Sequence, residues 1–205
     1  MAHPYYPVRQ DIGGYIANAS STLNLLSIFV AGLAMSAFIL TIRLYPRTSF
    51  GDLWTIVWFA LCEKYHFIPG GCVHLFFEGY FAYNFRRMPA MTDVFGQLWK
   101  EYSLSDSRYQ TQSAFVLCME SVTAFIWGPL SFAMVFRIIR DHPLRHAVQL
   151  IFSLGQLYGV ILYYATSLFD HYVLDIANSR PESQRFWGYF ILCNGFWVIV
   201  PSSKL

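Results

Sequence analysis

The chain has 205 residues, 56% of them hydrophobic and 19% aromatic, with only 13% charged and a net charge of +2. A soluble domain carries roughly 25% charged residues, so about half the polar surface that water requires is missing and a soluble fold is excluded. The charge is scattered and contains no basic run, which also excludes nucleic acid as a partner; the partner implied is a membrane.

In chain order, residues 1–19 read as a polar N-terminal tail rich in Tyr, without the basic-then-apolar pattern of a signal peptide. Asn18-Ala19-Ser20 fits a glycosylation sequon, but it lies so close to the membrane that it is expected to go unused. Leu23–Ile42 is almost continuously apolar, and twenty residues of helix reach about 30 Å, the thickness of the hydrocarbon core. A second span runs from Leu53 to Phe85 but is interrupted by Glu63–Gly70. Without that insertion, Leu53–Cys62 joins Gly71–Phe85 as an apolar stretch whose charge is Glu78. The segment 63–70 is therefore expected to bulge or kink; the alternative is a later start near Tyr65. The third span lies between Arg108 and Arg137, with Glu120 as its charge, the fourth covers Ala147–Ser167, and the fifth is Phe186–Pro201. The connection Arg86–Gln112 is rich in the aromatic and charged types that settle at the headgroup level. The expectation is an all-α integral membrane bundle of about five transmembrane helices, one domain over 1–205. Arg137, Arg140 and Arg145 in the short loop after span three mildly favour a cytoplasmic position for that loop. Cys62, Cys72, Cys118 and Cys193 all sit in apolar stretches and, with one exception, are expected to be buried, inert thiols without disulfide or metal.

Polar groups inside such spans are costly, so they point to function. His74 and Glu78, four apart, share a helix face. Glu120 and Thr123 share a face of span three, with Trp127 one turn on; Asn194 and Trp197 share a face of span five. Gln156 and Tyr158 add polarity to span four, and Tyr158 is placed with Trp197 and Trp127 as a candidate substrate contact. A carboxylic acid in a dry site keeps its proton and can act as a general acid toward a weak base such as an alkene. Aromatic faces stabilise the carbocation that results, and a neighbouring base removes a different proton. The same residues also suit a proton-coupled transporter.

Five stretches carry a family likeness: Val73–Phe81 (VHLFFEGYF), Gln97–Tyr109 (QLWKEYSLSDSRY), Val116–Ser131 (VLCMESVTAFIWGPLS), His142–Gly159 (HPLRHAVQL and SLGQLYG) and Phe186–Pro201 (FWGYFILCNGFWVIVP). On these the chain resembles the emopamil-binding protein family, sterol Δ8–Δ7 isomerases that share the EXPERA membrane domain. The resemblance is clearest from about 54 to 201. It implies a multi-pass enzyme of the endoplasmic reticulum that needs no cofactor and acts on a sterol or another polycyclic lipophilic substrate. It also implies inhibition by lipophilic amines, and it admits a homodimer. It makes His74, Glu78 and Glu120 the proton-handling group, with Thr123 and Asn194 orienting them or sharing the relay and Trp197 facing the cation. The insertion 63–70 and the ending at Leu205 depart from the family pattern. The ending Ser203-Lys204-Leu205 mimics a peroxisomal address and is expected to be unused. The competing readings are an isomerase or cyclase acting on a non-sterol terpenoid, and a sterol- or amine-binding membrane protein without turnover.

Overall fold

The computed structural model describes residues 3–45, 48–61 and 73–203. Among them every regular element is helical. In order these are α1 (Thr22–Leu44), α2 (Phe50–Leu61), a π-helical turn (Val73–Glu78) continuing into α3 (Gly79–Asn84), and α4 (Val94–Tyr102). Then come α5 (Ala114–Val122), a second π-helical segment (Thr123–Trp127), α6 (Gly128–Ile139), α7 (Arg145–Val173), a third π-helical segment (Arg185–Cys193) and α8 (Asn194–Ser202). Among the described residues three helical runs are long and apolar enough to cross a membrane: Thr22–Leu44, Ala114–Ile139 and Arg145–Val173. The insertion 63–70, the thiols Cys62 and Cys72, and the last two residues of the Ser-Lys-Leu ending lie outside the described residues.

The chain forms two compact units. One comprises Thr22–Tyr83 and Glu120–Phe152. Its α1 is apolar on all sides and buries only Leu25, as expected of a helix whose other faces meet lipid. Its core joins Ile56 of α2, Met134, Val135 and Ile138 of α6, and Phe152 of α7, with Leu40, Trp58 and Trp127 packed around them. After Ile139 the chain turns through Asp141 at φ +48°, the left-handed step that commonly closes a helix, and Pro143 prevents its continuation. Arg145 then ties the start of α7 to Asp52 at 3.5 Å and to Asp141 at 3.1 Å.

The other unit comprises Met1–Ser21, Asn84–Met119 and Ser153–Leu205. The polar N-terminal residues pack within this unit: Tyr5 and Ile12 are buried with Leu104, the Tyr5 hydroxyl donates to Lys100 O at 3.1 Å, and Ile16 N donates to Pro89 O at 3.0 Å. Gln97 holds the segment before α1, its Oε1 accepting from Ala19 N and Ser20 N, while Asn18 Nδ2 donates to Gln97 O. The connection 86–112 is well structured too. It contains α4, capped by the Asp93 carboxylate, which accepts from Phe95 N and Gly96 N, and it buries Lys100, Glu101, Asp106 and Arg108. Those charges are tolerable because each is paired or hydrogen-bonded: Arg108 grips the Asp106 carboxylate from Nε and Nη2 at 2.7–3.1 Å and donates from Nη1 to Thr166 Oγ1 at 2.9 Å. One expectation needs correction, that for the thiols. Cys118 and Cys193 are exposed on the chain's surface, not buried; in a membrane helix an outward face meets lipid, so an apolar stretch need not point inward.

Candidate active site

His74 and Glu78 occupy the first π-helical turn, and His74 Nδ1 lies 2.8 Å from Glu78 Oε2. Both are buried. The His74 ring faces Phe152 at 6.4 Å between centroids, and Trp127 meets the same phenyl ring edge-on at 5.8 Å. The turn carrying this pair packs against the second π-helical segment, which holds Thr123 and Trp127 and continues α5, the helix of the buried Glu120. The approach is close: a Cβ on Gly79 would lie 3.7 Å from Ala124 Cβ, and one on Gly128 would lie 3.6 Å from Leu75 Cβ, both at ordinary van der Waals contact. Glu120, Thr123, Trp127, His74 and Glu78 thus belong to one unit. Insertions of π geometry are rare and concentrate where a helix must re-aim side chains; here all three abut candidate site residues.

Asn194, Trp197 and Tyr158 belong to the second unit. Asn194 begins α8 at the end of the third π-helical segment; its Nδ2 donates to Tyr102 OH at 2.9 Å and to Phe190 O at 2.8 Å. Trp197 is half-buried one turn later. Tyr158 is 65% exposed on α7, while Gln156 on the opposite face is buried. Two residues escaped the sequence reading. Phe152 was an ordinary apolar residue of span four, yet it joins His74 to Trp127. Tyr102 sits in the Trp99-Lys-Glu-Tyr block, and no local spacing could announce a partner 92 positions away. Its neighbour Glu101 is equally engaged, ion-paired to Arg185 and accepting from Tyr189 OH at 3.0 Å.

Outside the spans, burial lowers the pKa of the Lys100 ammonium, whose Nζ donates to Ile16 O at 2.6 Å. Burial raises that of the Tyr5 phenol. Glu182 is held down at about 2, against an ordinary 4.5, chiefly by its hydrogen bonds from Arg180. Among the described residues no three His, Cys, Asp or Glu side chains gather into a metal-binding group.

Residues 94–204 match the model of EXPERA (EXPanded EBP superfamily). The 3-beta-hydroxysteroid-Delta(8),Delta(7)-isomerase of Rattus norvegicus is 34% identical over 97% of this chain and 84% of its own length. The chain belongs to the EXPERA family. The isomerase of the same name from Cavia porcellus is 33% identical, again over 97% of this chain and 84% of its own. Protoglabretal synthase of Citrus sinensis is 33% identical over 71% of this chain and 64% of its own length. The EXPERA match contains Glu120, Thr123, Trp127, Tyr158, Asn194 and Trp197, and begins after His74 and Glu78. The residues named by the sequence motifs therefore divide between the EXPERA segment and the helical turn that precedes it.

Proposed function

We propose that this EXPERA protein is a sterol Δ8–Δ7 isomerase whose proton transfers are carried by His74, Glu78 and Glu120. The observation that supports this most is the hydrogen-bonded His74–Glu78 pair, buried beside the segment that follows Glu120. Ionisable groups kept in an apolar interior are expensive unless function retains them. The chemistry is balanced. Protonating C9 of the 8(9) alkene leaves a tertiary cation at C8, and losing a proton from C7 forms the 7(8) alkene. One proton enters, one leaves and no electrons are exchanged, so the reaction calls for no redox cofactor. A hydrogen-bonded acid–imidazole pair can hold a proton in the first half of the cycle and accept one in the second. Thr123 orients the acid on the same helix, and Trp197 and Trp127 offer aromatic faces to positive charge.

A multi-pass position in the endoplasmic reticulum membrane accompanies this reading, with 1–205 acting as a single membrane domain. Parity supports five passes. In the second unit, residues 3–20 contact 89–100, Arg180 donates to Pro4 O at 3.2 Å, and Ser107 N donates to Asn178 O at 2.9 Å. Three connecting segments that share one side of the bilayer require an even number of crossings between each; in the five-pass reading the stretches 22–84 and 114–173 make two each. Arg185–Ser202 then makes the last pass.

The likeness to protoglabretal synthase favours a second reading, with the same chemistry acting on a non-sterol terpenoid. To test both, membranes containing the protein are incubated in deuterated water with a Δ8 sterol and, separately, with a terpenoid alkene. The expected product is the Δ7 sterol with one deuterium at C9. Conversion of the terpenoid alone would establish the second reading, and no conversion of either would overturn both.

A further inference from the structure

The Asn194 carboxamide is held in a way that fixes what it can offer. Phe190 O is a carbonyl, an acceptor only, and it lies 2.8 Å from the Asn194 side chain. Only Nδ2 can face it, so the orientation of the amide follows from the chemistry of its neighbour. The other Nδ2 proton goes to Tyr102 OH at 2.9 Å. Both donor protons are committed within the protein, and the polar capacity that remains is the acceptor oxygen Oδ1. From this we infer that Tyr102 is a positioning residue, fixing Asn194 so that it serves the site as an acceptor through Oδ1 and not as a donor. The inference rests on the reading of Asn194 as a site residue.

Tyr102 is itself well held. Its ring meets Trp99 and Tyr109 edge-on, at 5.9 and 5.3 Å between centroids, and its hydroxyl lies 3.4 Å from that of Tyr163. Burial raises its pKa, so the phenol oxygen remains a neutral acceptor for the amide. One residue earlier, Glu101 binds Arg185 and Tyr189. Consecutive residues of α4 therefore engage the last helix at two levels, Glu101 near its start and Tyr102 where π geometry gives way to α8. That fixes the rotation of the helix as well as the rotamer of Asn194. The chemical consequence is specific. An amide oxygen carries partial negative charge but is too weak a base to take a proton at neutral pH, so it can stabilise a cation, or accept from a protonated acid, without quenching either.

The test uses the full chain in lipid nanodiscs. In Tyr102→Phe, kcat on a Δ8 sterol is expected to fall about tenfold, the upper range for one hydrogen bond, with KM within about twofold and the melting temperature unchanged. Tyr163→Phe, which removes a hydroxyl that does not touch Asn194, is expected to keep kcat within about twofold. Protein labelled with ¹⁵N at asparagine reports the bond directly: hydrogen exchange of the Asn194 side-chain amide should accelerate at least ~5-fold in Tyr102→Phe, roughly the loss of a 1 kcal/mol bond. If that variant misfolds, 3-fluorotyrosine at position 102 keeps the shape with a weaker acceptor and should accelerate exchange to an intermediate degree. Unchanged amide exchange, or an equal loss of kcat in Tyr163→Phe, would overturn the inference. A wild-type protein that leaves Δ8 sterols untouched would overturn the proposed reaction instead, and amide exchange would still decide the role of Tyr102.

Discussion

His74 and Glu78 illustrate how much a single spacing can say. A separation of four along one helical face predicts contact, and the structure places the two side chains 2.8 Å apart with Phe152 against the imidazole. In an apolar interior neither group has water to replace its partner, so losing one should be felt in the chemistry before the fold. Glu78→Gln and Glu120→Gln are each expected to lower turnover at least ~100-fold, the scale of a lost general acid or base, while the protein still accumulates in membranes. His74→Ala should be comparably damaging; product analysis from membranes of matched protein content checks all three. Outside the membrane, Glu182 supports a pH prediction. Its carboxyl is depressed to about 2 by Arg180, so its contribution to stability is complete above the ordinary value of 4.5 and is lost as pH falls toward 2. The difference in melting temperature between wild type and Glu182→Gln should therefore be constant from pH 7 to 5 and vanish near pH 2.

Elements of this protein carry their own punctuation. The fourth helix starts where Asp93 caps two backbone N–H groups, and its buried residues then hold both the N-terminal segment and the last helix. Asp93→Ala removes that cap and should cost about 1 kcal/mol, read as a lower melting temperature in detergent. Gly96 has a second constraint, because a Cβ there would stand 2.4 Å from Met91 Cβ. The π-helical segments were beyond sequence reading. An i→i+5 turn has no residue signature comparable to Pro or Gly, and it arises because the packing of side chains on adjacent helices favours an extra residue in the turn.

At the scale of the whole molecule, the proposed five passes place three connections on one side of the membrane. Cysteines introduced one at a time as Arg9→Cys, Thr92→Cys and Asp175→Cys, in a background without native thiols, should react with an impermeant maleimide from the same face of sealed vesicles. Asp141→Cys should react from the opposite face. Labelling of Thr92→Cys from the side of Asp141→Cys would break the parity and remove a pass from the stretch 22–84.

Composition and charge spacing alone determined that this is an all-helical membrane protein. An excess of apolar residues in runs of about twenty has one inexpensive destination, because the backbone must satisfy its hydrogen bonds internally wherever water is absent. The same physics exposed His74, Glu78, Glu120 and Asn194, since polar groups in such runs stand out against their cost. Tertiary structure alone decided that the polar N-terminal residues pack against α4, that Lys100, Glu101, Asp106 and Arg108 are buried, and that Cys118 and Cys193 face outward. The reason is reach. A charge in sequence looks solvated until a partner such as Arg185, 84 positions from Glu101, arrives to pair it, and an apolar helix shows no preferred inward face when lipid is as acceptable to it as protein.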